Sequence, residues 1–305
     1  MASWVRRYIP AAAKKKLSRW KRMMKWVWMH LTSSRKEFHY FRCNVCGKKT
    51  SFLHRKLLRE AWSCYNCGST VRWRSVINAL SIELFDQALA LSEFPVRPDL
   101  VGIGLSDWDG YAIPLAKKLS YTNTYYHQTP FLDITSIENF QYGSYDFIIA
   151  SDVFEHIGPP ISRAFMNARL LLKPDGVMIF TVPYIEGETT EHFPELHKFS
   201  LQKKGEAWSL LNQTSDGRNQ EYSDVTFHGG PGSVLEMRLF GKDSLLQGVR
   251  GAGFESIKVY DAEYPEDGIV WIPYVAENAP YRPLIYGLDT PAWALRRGKQ
   301  KRLAR

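Results

Sequence analysis

All four cysteines of the chain fall in two Cys-x-x-Cys pairs, Cys43/Cys46 and Cys64/Cys67, with seventeen residues between the pairs. No other feature restricts the fold as strongly. Each pair lets two thiolates of one turn face the same ion, and four such sulfurs close a tetrahedral site with no position left for water. Gly47 and Gly68 follow the pairs, where the chain must bend. The pattern predicts a zinc ribbon over residues 37–75 with Cys43, Cys46, Cys64 and Cys67 as ligands; rubredoxin-type iron uses a similar donor set. Close pairs of this kind are unlike the framework of a secreted, disulfide-stapled domain, and point to a reducing compartment such as the cytoplasm.

Arg55, Lys56 and Arg59 lie between the pairs, and Arg72 and Arg74 follow them, interleaved with Trp62 and Trp73. Basic and aromatic groups together suit nucleic acid. A ribbon of this size more commonly packs on its neighbouring domain, and residues 71–84 read as the helix leading into one.

The net charge of +9 is unevenly placed. Residues 1–36 carry eleven Lys or Arg and no acid, and residues 296–305 carry six and no acid. Between them, residues 37–295 hold 23 basic against 31 acidic groups, so the body is acidic and only the ends are basic. A negatively charged partner meets the ends first.

Within the basic start, Leu17, Trp20, Met24, Val27, Trp28 and Leu31 recur at spacings of three and four, one stripe of a helix. Lys14, Lys15, Arg19, Lys21, Arg22 and Lys25 fall on its flanks and far side; Trp26 breaks the pattern. A basic amphipathic helix over residues 11–31 suits the surface of an anionic bilayer. A solvated arm, nucleic-acid contact and an organelle transit peptide are the other readings. No apolar run is long enough to span a membrane.

From Pro98 onward strands and helices alternate. Residues 99–103, 123–127, 145–150 and 177–182 read as strands, and 110–119 and 162–172 as helices. That order implies a mostly parallel sheet covered on both faces, with ligands beyond the carboxyl ends of its strands. The turn Gly102-Ile-Gly104-Leu-Ser106 lacks the third glycine of a dinucleotide fingerprint, since Asp107 stands there.

Two longer stretches are more specific. Tyr145-Asp-Phe-Ile-Ile-Ala-Ser-Asp152-Val-Phe-Glu-His156 and Leu170-Leu-Leu-Lys-Pro-Asp-Gly176, together with Glu236-Met-Arg-Leu-Phe240 and Ala252-Gly-Phe254, resemble class I S-adenosylmethionine-dependent methyltransferases. The resemblance covers residues 97–275 and is nearest to a bacterial subgroup with an N-terminal zinc ribbon. It implies a Rossmann-like α/β fold with a seven-stranded, mainly parallel sheet whose final strand is antiparallel. It implies S-adenosylmethionine as cofactor, with Gly102, Gly104 and Ser106 beneath the methionine moiety, Asp133 near the adenine, and Ser151 and Asp152 beside the sulfonium. Two departures stand out. Leu100 occupies the place of an acid in the first strand, and no acid lies between Gly110 and Asp133 to accept the ribose hydroxyls, which leaves His127, Gln128 or Thr129.

The chain is thus expected to comprise a basic arm (1–36), the ribbon (37–75), the methyltransferase domain (76–275) and a basic C-terminal tail (276–305). An insertion at 184–236 is far longer than an ordinary connection and would form a lid over the site. Methyl transfer to a hydroxyl needs a base, and Asp152, His156, His192 and His228 are the candidates, with Asp152 and His156 preferred as catalytic. The acceptor is expected to be a small molecule or a glycan, such as surface polysaccharide or its precursor, with the enzyme cytoplasmic or peripheral to the inner face of the membrane. The alternatives are an RNA or protein methyltransferase, disfavoured for nucleic acid by the acidic body, and a non-catalytic binding module on the same fold.

Overall fold

The computed structural model describes residues 11–57, 60–205, 207–223, 225–228, 232, 234–270 and 291–298. The first described element is helix α1 (Ala11–Thr32), followed by the antiparallel hairpin β1 (Phe38–Arg42) and β2 (Lys49–Leu53). Helix α2 (Val71–Phe85) begins where the Thr70 hydroxyl accepts a hydrogen bond from the backbone N–H of Trp73, and stops at Asp86, which turns into the left-handed region.

The alternation read from sequence is present. Strand β3 (Arg97–Leu105), helix α3 (Asp109–Leu115), strands β4 (Leu119–Thr124) and β5 (Tyr145–Ser151), helix α4 (Ser162–Leu171) and strand β6 (Leu172–Thr181) follow in order. α3 is shorter than the expected 110–119, with Pro114 in its last turn. The insertion then contributes β7 (Tyr184–Ile185), β8 (Thr190–Glu191), β9 (Lys198–Lys204), β10 (Ala207–Gln213), β11 (Asn219–Tyr222), β12 (Phe227–His228) and β13 (Val234–Leu235). Strand β14 (Arg238–Gly241), helix α5 (Lys242–Gly251) and strands β15 (Ser256–Tyr260) and β16 (Ala292–Arg296) complete the described chain.

The main sheet has the order β15-β16-β6-β5-β3-β4. β3 to β6 are parallel, and β16 runs antiparallel to both its neighbours. Six strands therefore stand among the described residues where the resemblance implied seven. The segment that would supply the seventh forms only isolated bridges, Tyr125 with Phe131 and Asp133 with Ser136. It lacks a strand-length run of alternating apolar residues, and the Asp133 carboxylate takes the N–H of Thr135 into a tight turn.

A second correction concerns the C-terminal tail. Residues 292–296 of that stretch are an inner strand of the sheet, and Arg296 is paired through its Nε, 2.7 Å from the Glu83 carboxylate on α2. The apolar run Ala292–Leu295 is too short, beside its basic neighbours, to announce a strand. Residues 276–290 and 299–305 of the expected tail, and residues 1–10 of the arm, lie outside the described residues.

The strand period of two divides the core cleanly. Phe147, Ile149, Val177, Ile179 and Ala294 face α2, α3 and the cysteine hairpin. Ile148, Ala150, Met178, Phe180, Trp293 and Leu295 face α4 and α5. Phe41, Cys43, Leu57 and Met29 belong to the same buried cluster as Ile77, Leu80 and Phe147, so the cysteine hairpin and α1 share one core with the sheet. The insertion has a small core of its own around Phe193, Leu210, Leu235 and Met237. It is stitched to the body where β14 pairs with β7 and β8.

Candidate functional site

A cavity of about 1180 Å³ opens above the carboxyl ends of the parallel strands. It lies where strand order reverses, between β3 and β5, the place at which ligands collect in such sheets. Both strands leave the sheet through a residue with positive φ, Ser106 at 58° and Asp152 at 53°. Non-glycine residues adopt this geometry at a cost of roughly 1–2 kcal/mol, and both line the cavity. Asp133, Ser151 and His156 also line it, as do Thr124, Tyr125, Tyr126 and His127 at the end of β4.

Gly102 and Gly104 stand apart from this group. A Cβ at Gly102 would meet the Phe147 ring, and one at Gly104 would meet the Tyr121 hydroxyl and the Asp107 carboxylate. Neither glycine lines the cavity; both let β3 pack closely on its neighbours. Tyr121 donates its hydroxyl proton to Asp107, which is buried. Burial pushes the Asp107 carboxyl up to about 7, against the opposing hydrogen bonds of Tyr111 and Tyr121.

Asp152 is more firmly held than its sequence context implied. Arg72, from the first turn of α2, places its Nε 3.2 Å from Asp152 Oδ2 and donates from Nη1 to the Ser151 hydroxyl at 2.5 Å. The Thr181 hydroxyl donates to Asp152 Oδ1 at 2.7 Å, and Glu60 accepts from Nε and Nη2 of the same guanidinium through two hydrogen bonds of 2.8 Å. Burial would lower the Arg72 pKa, but Asp152 and Glu60 more than offset that and hold the guanidinium above its ordinary value. A carboxylate tied in this way is a fixed negative charge and a poor proton acceptor.

His156 points elsewhere. Although four residues apart, Asp152 and His156 share no helical face, because the short 3-10 turn starts only at Phe154 and Asp152 is left-handed. His156 Nδ1 lies 2.8 Å from the carbonyl of Leu235 in the insertion, and its ring meets that of His228 edge-on with centroids 4.7 Å apart. Burial lowers its pKa, with His228 adding to the effect and the Leu235 carbonyl opposing it. His192 and His228 each hold one oxygen of Glu236, at 2.9 and 2.7 Å. The insertion thus forms a wall of the cavity through Phe199, Leu201, His228, Leu235 and Met237. Arg238, fully buried, fixes the loop beneath by donating to the carbonyls of Phe154 and Ile157. Glu236 and Arg238 lay in a stretch that carried the family resemblance and Arg72 among the basic groups after the cysteine pairs, but neither reading gave them the contacts they make here.

The cysteine cluster sits on the opposite face of α2. No disulfide joins the four cysteines, and all four Sγ atoms lie within 4.8 Å of one another. Cys43 and Cys67 are 3.7 Å apart, as are Cys46 and Cys64. A regular tetrahedron with metal–sulfur bonds of about 2.3 Å has edges of about 3.8 Å, so the donor set fits a closed zinc site. Buried Arg74 lies beside it, donating to Ser63, Ser69 and the Gly268 carbonyl. On α1, Trp26 Nε1 donates to the Ser51 carbonyl at 2.9 Å and Met29 is 1% exposed. Trp26, the residue that broke the amphipathic stripe, faces the hairpin. The stripe itself is open to solvent, with Trp20, Trp28 and Leu31 exposed by 54, 61 and 80%.

Residues 86–259, more than half of the chain, match the methyltransferase domain family. No curated protein matches the sequence. Among solved structures the chain is similar to a 1,6-didemethyltoxoflavin-N1-methyltransferase of Burkholderia thailandensis, with bound 1,6-didemethyltoxoflavin and S-adenosylhomocysteine. The TM-score is 0.36 at 12% identity, over 74% of this chain and 79% of that one. An S-adenosylmethionine-dependent methyltransferase of Clostridium acetobutylicum gives 0.38 at 10% identity, over 74% and 91%. An amino pentose methyltransferase of Micromonospora echinaspora, involved in calicheamicin biosynthesis, gives 0.35 at 12%, over 75% and 92%.

Proposed function

The chain belongs to the methyltransferase domain family and is an S-adenosylmethionine-dependent methyltransferase; we propose that its acceptor is a small molecule or a glycan enclosed by the insertion. The observation that carries this is the cavity. Its volume exceeds the roughly 300–1,000 Å³ of an ordinary single-ligand site, leaving room for a small acceptor beside a cofactor. On the lid side its described lining is apolar, through Phe199, Leu201, Leu235 and Met237. An RNA acceptor would need basic groups around the pocket itself. Arg72, the one Lys or Arg among the described lining residues, is already committed to Asp152, Ser151 and Glu60.

The residues present fit S-adenosylmethionine. Ser106, Asp133, Ser151 and Asp152 surround the switch point and would hold it, with His127 in place of the missing second-strand acid. When bound, the cofactor supplies an electrophilic methyl on a positively charged sulfur. The protein's part is to orient the acceptor, exclude water and present fixed charge where it helps. Asp152, locked by Arg72 and Thr181, presents a negative charge of fixed direction.

We propose a structural zinc in the cysteine cluster, a reading that the sulfur separations and the closed donor set support. α1 supports peripheral association with an anionic membrane. One side is docked on the hairpin through Trp26 and Met29, while the exposed stripe with Lys16, Arg19, Lys21 and Lys25 around it has the chemistry of a bilayer surface.

The test is to incubate the full chain with methyl-labelled S-adenosylmethionine and a whole-cell extract, then fractionate. Label in small-molecule or glycan fractions is expected. Label confined to RNA or protein overturns the acceptor assignment. Titration showing no binding of S-adenosylhomocysteine overturns the site.

A further inference from the structure

Where the insertion closes over the loop that follows β5, three side chains of metal-ligating type converge. Glu155 and His156 come from that loop and His228 from β12, and one donor atom of each lies within 4.8 Å of the others. Glu155 Oε1 is 3.8 Å from His156 Nε2 and 3.9 Å from His228 Nδ1. These separations are a few tenths of an ångström wider than the roughly 3.0–3.5 Å between ligands bound at about 2.0–2.2 Å.

The outer contacts decide which nitrogens are available. His156 Nδ1 faces the Leu235 carbonyl, which can only accept, so the proton sits on Nδ1 and the lone pair on Nε2. His228 Nε2 faces Glu236 Oε2 at 2.7 Å, which places the proton there and the lone pair on Nδ1. Both lone pairs thus belong to the atoms nearest Glu155. A backbone carbonyl on one imidazole and a carboxylate on the other are the partners that orient metal-bound histidines and fix their tautomers. His192 holds the second oxygen of Glu236. Glu155 and Glu236 are 1% and 4% exposed, so the pocket gathers two buried carboxylates, a setting that favours a dication.

We propose that Glu155, His156 and His228 bind a divalent transition metal, separate from the cysteine cluster, whose remaining positions face the cavity and take a hydroxyl oxygen of the acceptor. Two imidazoles and one carboxylate suit zinc, iron(II), manganese or cobalt. His156 and His228 line the cavity that Asp152 also lines, so an acceptor oxygen held there is inside the reaction chamber. Coordination lowers the hydroxyl pKa and its proton passes to solvent. The oxygen then forms the new C–O bond as the C–S bond breaks, its electron pair leaving on sulfur. This removes the need for Asp152 to act as a base, which its ion pair with Arg72 makes it unsuited to do. The role of the metal rests on the methyl-transfer reading; binding of the ion does not.

Cobalt(II) added to chelator-treated full-length protein separates the two metal sites. Ion at the thiolate cluster gives sulfur-to-metal charge-transfer absorption, and ion at the oxygen and nitrogen site gives none. The wild type is expected to bind one equivalent of each kind. His228→Gln, at a partly exposed position of the lid, is expected to weaken only the second by one to two orders of magnitude. Glu236→Gln, which would reach the ion only through the His228 ring, is expected to weaken it less and to shift the cobalt spectrum. Glu155→Gln, at the buried position, should abolish it, with far-ultraviolet circular dichroism confirming the fold. A wild type that binds cobalt only through sulfur, or a second equivalent unaffected by His228→Gln, overturns the site. Metal binding as described with methyl transfer equally fast in chelator-treated enzyme overturns the catalytic role alone.

Discussion

Arg72 Nε lies 3.2 Å from Asp152 Oδ2, joining the helix that leaves the cysteine cluster to the end of the strand that forms the reaction chamber. The two residues are 80 positions apart, and both are shielded from solvent, with side chains 12% and 15% exposed. Removing one partner leaves the other buried and uncompensated, which costs about 3–5 kcal/mol. Arg72→Ala is therefore expected to lower the urea midpoint and to weaken S-adenosylhomocysteine binding, since Ser151 and Asp152 lose their common anchor. Arg72→Lys should restore little, because one ammonium cannot span Glu60, Ser151 and Asp152 as the planar guanidinium does. Unchanged cofactor affinity in Arg72→Ala would show that the strand end is set by other contacts.

The same helix would transmit the effect of a metal bound in the cysteine cluster. Trp73, next to Arg72, stacks on Trp108 with centroids 4.0 Å apart, and Trp108 follows the turn at Ser106. The purified chain is expected to hold one zinc in the cysteine cluster. Cys64→Ser should lose it, lower the melting temperature and reduce cofactor affinity, since site formation and local folding are coupled. Metal content well below one equivalent in the wild type sinks the zinc assignment. Loss of metal with no change in cofactor affinity would separate the cluster from the site.

The parallel sheet, the cysteine cluster and the strand end at Ser151 and Asp152 were legible because each rests on local pattern: alternation, spacing or an apolar run that stops. Arg72 and Glu236 were not. Their partners are reached only after the chain has folded, and an arginine two residues into a helix looks the same whether it faces solvent or a cavity. β16 was hidden because five residues beside a basic run carry too little periodicity, and its place is set by the two strands it fits between. Gly102 and Gly104 were expected beneath the cofactor's methionine moiety, but neither is among the residues lining the cavity. The groups that approach them closely are Phe147, Tyr121 and Asp107.

That reading of Gly104 has its own consequence. Gly104→Ala is expected to destabilise the fold by about 1–3 kcal/mol, the usual range for overpacking. The colliding atoms include the Tyr121 hydroxyl. Tyr121→Phe removes that atom, so the double variant should be less destabilised than the two single changes predict, as read from denaturation midpoints. Strict additivity would mean the strand shifts as a whole.

Asp107 sets a pH dependence. Its carboxyl is raised from 3.8 to about 7, so the folded protein holds this proton more tightly than the unfolded chain. The stabilisation this gives is fully present below about 4 and is lost as pH rises through about 7. Asp107→Asn cannot lose a proton and keeps an acceptor for Tyr121. Relative to the wild type, the variant is expected to gain stability between pH 4 and about 7 and to level off above that in denaturant titrations. Parallel curves for the two proteins across that range would show that Asp107 ionises normally.

The exposed stripe of α1 can be tested without disturbing the core. Removing residues 1–36 would strip Met29 and Trp26 from the hairpin they cover, so a deletion confounds membrane binding with folding. Trp20 and Trp28 are free of that duty, at 54% and 61% exposure. Trp20→Glu with Trp28→Glu places two carboxylates on the face that would meet the headgroups, and reverses both the apolar and the electrostatic contribution. The wild type is expected to sediment with vesicles containing anionic lipid at low salt and to release as salt screens the lysines. The double variant should remain in the supernatant with melting temperature and S-adenosylhomocysteine affinity unchanged. Wild-type protein that ignores anionic vesicles at low salt, or a variant that still sediments with them, removes the membrane from the account and leaves the stripe to another occupant.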